Sequence, residues 1–393
     1  MKVLLGGVPF GCDNIGDEAI LACVVKMLRD DVPEARISVA TADPGTAKRL
    51  DVEVVPPHGF AGVPIAGFGR VAAGADVYVW CGATGLSDYP DTALSLLREA
   101  QRAGVPTFVW GVGMDDELNP AFFKAAGRRK AILDALALTP RYEALLRRRL
   151  ARRISKVLPR CRGVWLRDFE SAAVLARFGF TGARVAADTA ILQRGATGGS
   201  AKSFASGGSG RTLGLCISAQ RRVADLDGAR RLVDAVRASG ARVAGIPMNP
   251  KTDRPLMESL GVECISGTSP EAVFDAAARC DVVLSSRLHL LILAANAGTP
   301  VMGLARGSKL SNWLANFGRR VEGAVQDCDW DAATRRVLAA LRDRGDWDAV
   351  RASAYARLEA RLASARADFA AAIRAACGGR RGTDSERDGG CGV

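Results

Sequence analysis

The feature that most constrains this chain is an alternation of short, uninterrupted apolar runs with segments of helical spacing. It begins at the N-terminus, halts in a glycine- and serine-rich stretch, and then starts again. In the first half the apolar runs lie at 2–5, 37–40, 77–80, 107–110 and 163–166, with helical patterns near 17–29, 92–103 and 168–178. Runs that are apolar throughout, instead of at every second residue, read as strands of a parallel sheet covered by helices on both faces. Residues 195–210, GATGGSAKSFASGGSG, read as a linker or long loop. Beyond them come predicted strands at 212–217, 242–246, 262–265, 281–285 and 301–304, with helices near 227–238, 253–260 and 270–279.

The expected fold is therefore α/β, with two Rossmann-like domains facing a central cleft, because ligands of such sheets gather at the carboxyl ends of the strands. The boundaries predicted are 1–194 for the first domain, 195–210 for the linker and 211–330 for the second domain. Residues 331–377 are predicted as C-terminal helices and 378–393 as a disordered tail. A length of 393 residues, 48% of them apolar, is enough for two cores.

Charge and cysteine usage exclude several classes. The formal net charge of +12 comes mainly from arginine. The densest stretch, 141–162, sets Leu145, Leu146, Leu150, Ile154 and Leu158 among arginines at near-helical spacing. It fits either a solvated helix face or a helix lying on an anionic membrane surface. No nucleic-acid-binding signature accompanies the charge, and aromatics are few for base stacking, so a nucleic-acid partner is not expected. The ten cysteines stand singly, with no C-x-x-C and no close histidine, so no metal site is expected and a reducing compartment is. No signal-peptide pattern or membrane-length apolar run is present, which predicts a cytoplasmic location, peripheral at the inner membrane face if 141–162 meets lipid.

The segment with the most chemical content is Ser285-Ser286-Arg287-Leu288-His289, where a predicted strand runs into a helix. Free N–H groups at a helix start favour an anion, arginine adds a two-pronged donor, and histidine is the side-chain type that titrates nearest neutrality. The chain has only two histidines. His58, in the turn-like Pro56-Pro57-His58-Gly59, is expected to be structural. Three further strand exits carry candidate residues. They are the loop holding Asn14, Gly16, Asp17 and Glu18, the loop 81–88 ending in Asp88, and Arg167-Asp168 with Asp188 downstream. Lys309 follows the predicted strand 301–304. Asn14 and Asp17 also suit helix capping, Arg167 also suits pairing with Asp168 or Glu170, and Lys309 also suits simple solvation.

Together these segments resemble the polysaccharide pyruvyl transferase family. The matching elements are Asn14-x-Gly16-Asp17-Glu18-Ala19, Gly111-Val112-Gly113, Arg167-Asp168 with Ser171, Asp188, and Ser286-Arg287-Leu288-His289 followed by Gly298-Thr299-Pro300 and Lys309. They span roughly residues 3 to 318. The chain departs from the family at Cys81-Gly82-Ala83-Thr84-Gly85, where a glycine triplet is usual.

The resemblance implies a fold like that of the GT-B glycosyltransferases and a role in cell-surface polysaccharide biosynthesis. It implies phosphoenolpyruvate as co-substrate, no other cofactor and no metal, and a sugar or lipid-linked glycan as acceptor. The product would be a pyruvyl ketal, with phosphate released. It also implies Arg167, Arg287, Lys309 and Ser286 at the donor and His289 with Arg287 at the chemistry. Asn14, Gly16, Asp17, Glu18 and Asp88 would fall to the acceptor side or its loops. A donor bearing a carboxylate and a phosphate needs several cations, and its proton transfers need a group such as His289. Two alternatives share these features: a nucleotide-sugar glycosyltransferase or epimerase of the same fold, and a catalytically idle relative that binds or scaffolds.

Overall fold

The uninterrupted apolar runs become buried parallel strands in the computed structural model, which describes residues 1–195, 210–218, 223–305 and 307–385. The described chain divides into two compact units. The first comprises Met1–Cys12, Val24–Asp188 and the chain from Ala360 onward; the second comprises Asp13–Cys23 and Thr189–Glu359.

The first unit holds a seven-stranded sheet of β1 (Lys2–Phe10), β2 (Arg36–Thr41), β3 (Glu53–Val55), β4 (Val77–Cys81), β5 (Thr107–Val112), β6 (Gly163–Leu166) and β7 (Arg184–Val185). Its order is β3-β2-β1-β4-β5-β6-β7, and every pairing is parallel. All five residues of β4 are inaccessible to solvent, as a central strand covered on both faces requires. The second unit holds a five-stranded sheet of β8 (Thr212–Cys216), β9 (Arg242–Gly245), β10 (Val282–Ser285), β11 (Val301–Ala305) and β12 (Gly323–Ala324), in the order β12-β11-β10-β8-β9, again parallel throughout. The helix that follows β10, Leu288–Asn296, buries seven of its nine residues and leaves only His289 and Asn296 partly accessible. A helix apolar on all sides is stable only inside a core.

Four expectations change. The run 262–265 forms no strand; Cys264 makes a single bridge to Gly245, because the chain meets the sheet there at one residue only. Gly6–Phe10, read as loop, continues β1. Residues 13–23 group with the second unit, not with 1–194, and the C-terminal helices are shared between the units. Helix also extends to Ser385, so 378–385 are not a disordered tail. Of the predicted linker, 196–209 lie outside the described residues, as do 386–393.

The long C-terminal helix, Trp347–Ser385, belongs to the first unit from Ala360 onward, where its apolar face completes that core. Phe369 stacks on Trp110 with ring centres 4.5 Å apart and meets Trp165 edge-on at 5.3 Å. Arg366 adds a bidentate pair to Asp31, at 2.7 and 2.8 Å. Phe369 is 1% exposed. Phe369→Ala is therefore expected to destabilise the first unit by about 3–5 kcal/mol, measured as the shift of the urea transition reported by tryptophan fluorescence.

Candidate functional site

In the second unit, β8 and β10 are neighbours, but the chain leaves β8 toward β9 on one side and β10 leads to β11 on the other. Such a reversal leaves room at the carboxyl ends of the two strands. Ser286 bridges them there: its hydroxyl accepts the Ser218 N–H at 2.8 Å, and its own N–H donates to the Cys216 carbonyl at 2.9 Å. Ser285 shapes the next turn by accepting the Arg287 N–H at 2.9 Å. Both serines are fully buried, which makes them braces for the turn.

Arg287 follows and turns into the protein. Its Nε and Nη2 donate to Asp253, at 2.9 Å to Oδ2 and 2.6 Å to Oδ1. Asp253, wholly inaccessible, also accepts the Asn249 N–H at 2.9 Å. Arg287 is thus half of a buried ion pair and leaves only Nη1 outside it. Asp253 was not singled out in the sequence. Its one signal there was an acidic residue opening a predicted helix after a strand exit.

His289 stands on the first turn of Leu288–Asn296, against Gly16. A Cβ at Gly16 would fall 2.3 Å from the imidazole Nδ1, so only glycine allows this approach. Gly16 is placed by Asn14, whose side-chain oxygen accepts the Gly16 N–H at 3.2 Å and whose carbonyl accepts those of Asp17 and Glu18. The segment is anchored in its own unit by the Ile15 N–H, which donates to the Met248 carbonyl at 2.9 Å.

Asp17, 4% exposed, receives a hydrogen bond of 2.7 Å from Asn14 Nδ2. Burial pushes its carboxyl up to about 6. His289 opposes that rise, Glu18 adds to it, and the Asn14 bond and Lys309 oppose it in smaller measure. Lys309 is the second residue of the helix Ser308–Ala315, which follows β11. The residues read as acceptor-side, Asn14, Gly16, Asp17 and Glu18, therefore lie in the same unit as His289, Arg287 and Lys309.

Asp88 and Arg167 belong to the first unit. Asp88 ends a short helix, Gly85–Asp88, and its carbonyl is held by Asn119 Nδ2 at 3.0 Å. Arg167, 5% exposed, donates to Asp168 at 2.9 Å and lies 4.0 Å from Asp188. Burial alone would lower its pKa, but Asp168, Asp188 and Asp115 outweigh burial and raise it. Gly113 makes the room for it, since a Cβ there would sit 2.6 Å from Nη2. Asp168 also caps the following helix by accepting the Ser171 N–H at 2.7 Å. In the departing loop, Ala83 keeps a left-handed φ of 60° beside Gly82 at 83°, so the backbone adopts a glycine-like turn without the third glycine. His58 Nδ1 lies 2.7 Å from the Pro64 carbonyl.

Among the described residues, no group of three or more His, Cys, Asp and Glu side chains is arranged to hold a metal ion. Nor is any helix among them long and apolar enough to cross a membrane.

The raised Asp17 carboxyl has a stability consequence of definite sign. It binds its proton more tightly in the folded chain than in the unfolded one, so this contribution to stability is lost as pH rises from about 4 to about 6. Asp17→Asn is expected to increase the unfolding free energy by on the order of 2 kcal/mol above pH 6 and to leave it unchanged below pH 4. Urea denaturation across that pH range measures both.

The chain is similar over nearly its whole length to solved structures of GT-B fold. A glycotransferase of kitacinnamycin is 14% identical, with 96% of this chain and 99% of that one aligned and a TM-score of 0.59. HepE from Anabaena, solved with UDP and glucose, is 12% identical over 94% and 98%, with a TM-score of 0.55. UDP-GlcNAc 2-epimerase from Neisseria meningitidis is 11% identical over 95% and 99%, with a TM-score of 0.53. At these identities the likeness shows the fold alone. No curated protein matches the sequence. The family model of polysaccharide pyruvyl transferase matches residues 14–308, a span that opens at the Asn14 turn and closes at the start of the Lys309 helix. The chain belongs to the polysaccharide pyruvyl transferase family.

Proposed function

We propose that the protein transfers a pyruvyl group from phosphoenolpyruvate to two hydroxyls of one sugar in a polysaccharide or glycan precursor, forming a cyclic ketal and releasing phosphate. The observation that carries this reading is the grouping of Asp17, His289 and Lys309 in the second unit, where helices begin after β10 and β11. Family membership supports it.

The donor is a dense trianion. Two helix starts, the Lys309 ammonium and the remaining Nη1 of Arg287 supply cationic and N–H partners for its phosphate and carboxylate. Arg167, already surrounded by three carboxylates, is left outside this assignment.

The chemistry needs one proton delivered to the donor's methylene carbon and two removed from sugar hydroxyls. In this reading His289 delivers the proton, making the adjacent carbon electrophilic, and Asp17 receives one from the attacking hydroxyl. A C–O bond to the sugar forms, the C–O bond to phosphate breaks, and the second hydroxyl closes the ring with its proton passing to the departing phosphate. Asp17 then returns its proton to His289, so that over the cycle one hydroxyl proton is balanced by the one in the new methyl group and the other ends on phosphate. A carboxyl at about 6 can both accept and return a proton near neutrality.

The purified protein incubated with phosphoenolpyruvate and a sugar-chain acceptor is expected to release phosphate and to leave the acceptor heavier by a pyruvyl ketal, read by mass spectrometry. Saturable thermal stabilisation by a UDP- or GDP-sugar with none by phosphoenolpyruvate would sink the proposal and favour nucleotide-sugar chemistry. Within the proposed reaction, kcat/KM should rise with pH through about 6 as Asp17 ionises. Asp17→Asn should lower kcat by roughly 10²–10⁴ and abolish that rise. A variant that keeps the rise removes Asp17 from the base role.

A further inference from the structure

The chain's positive charge is not spread over its surface. Residues 124–162 contain thirteen Lys and Arg and two Asp and Glu, a surplus of eleven, against a net charge of +12 for the whole protein. Twelve of those thirteen basic residues are exposed, and Arg153 is half-buried. The proposed reaction uses none of them.

This stretch also presents apolar side chains to solvent. The helix Gly127–Ala135 buries none of its residues. A nine-residue helix has little stability of its own in water, and this one gains none from a buried face. Ile132 and Leu136, one turn apart, are each 61% exposed. Phe122 just before them is 50% exposed and Leu145 just after them 40%.

The next helix, Thr139–Val157, has two distinct faces. Leu150, Ile154 and Val157 are buried, and so is Leu158 just beyond its end, so three of the five apolar residues that suggested a lipid-facing stripe in the sequence, Leu150, Ile154 and Leu158, belong to the core. Leu145, Arg148, Arg149, Arg152 and Lys156, at spacings of three and four, form its exposed stripe. Arg129 ties the two helices together by donating to the Tyr142 hydroxyl at 2.9 Å.

We infer that the surface formed by these two helices and the short helix Pro120–Phe123 before them docks onto an anionic lipid bilayer, with Phe122, Ile132, Leu136 and Leu145 entering the boundary of the acyl chains and the arginines binding phosphate headgroups. A soluble polyanion would account for the arginines but not for the exposed apolar side chains. A second copy of the same surface would repel the first. A bilayer satisfies both features at once, because apolar insertion and headgroup attraction act together. The inference stands apart from the donor assignment, since lipid binding is measured without substrate.

The test uses the full chain and extruded vesicles of phosphatidylcholine, with and without about one-third phosphatidylglycerol, in a sedimentation assay. Binding to the anionic vesicles is expected to exceed binding to the neutral ones by at least about tenfold and to fall as salt rises. Arg148→Glu/Arg149→Glu/Arg152→Glu should weaken it by on the order of 100-fold. Ile132→Asp/Leu136→Asp should weaken it by at least about tenfold. The thermal midpoints of these exposed-site variants should match the parent; if the aspartate pair unfolds the chain, Ile132→Ser/Leu136→Ser takes its place.

Equal binding to both vesicle types, or none to either, would overturn the proposal. So would full binding by the apolar variant together with equally tight capture by soluble polyglutamate, which would show a surface for polyanions instead of bilayers.

Discussion

The candidate site rests on one buried ion pair. Arg287 follows the central strand β10 with its guanidinium inside the second unit, and an unpaired cation there would cost about 3–5 kcal/mol. Asp253 supplies the opposite charge through two hydrogen bonds and is itself fixed by the Asn249 N–H. The pair ties the start of the helix Asp253–Ser259 to the residue just past β10, immediately before the helix Leu288–Asn296. His289, two residues on, inherits that position. Gly16 lies against its imidazole, where any Cβ would clash. The arginine that looks most like a ligand-binding cation therefore acts first as the element that locates a histidine.

The strands that build the two sheets were legible because they are covered on both faces. Val77–Cys81 and Val282–Ser285 contain no polar alternation since neither side meets water. The strands that escaped notice, Glu53–Val55, Arg184–Val185 and Gly323–Ala324, are short and partly exposed and lie toward the sheet edges, where composition carries little signal. The residues proposed for the site stand out in the sequence as polar side chains, with Gly16 among them, at strand exits. Their grouping does not. Asn14 to Glu18 stand beside the first strand in sequence, yet their hydrogen bonds and packing belong to the second unit through Met248 and His289. Local pattern cannot carry that information, because it depends on contacts between segments far apart in the chain. Asp253 was hidden for the same reason.

The departure from the family's glycine triplet is a matter of conformation as well as composition. Ala83 occupies the left-handed region that glycine enters freely, at the turn after β4. The strain, about 1–2 kcal/mol for a residue with a Cβ, is carried by an otherwise rigid surround in which Trp80 packs 2.5 Å from where a Cβ on Gly85 would stand.

The place of Phe369 bears on how the protein is made. Trp110 and Trp165 are synthesised early, but the ring that covers them lies near the far end of the chain, after the whole of the second sheet. While ribosomes are still translating the second unit, the first has its strands but an open aromatic surface. It can close only when the final helix emerges. Domains that fold as they are synthesised usually finish in chain order. Here the N-terminal unit finishes last, and any delay in translating the final helix lengthens the time its tryptophans stay exposed to other nascent chains and to chaperones.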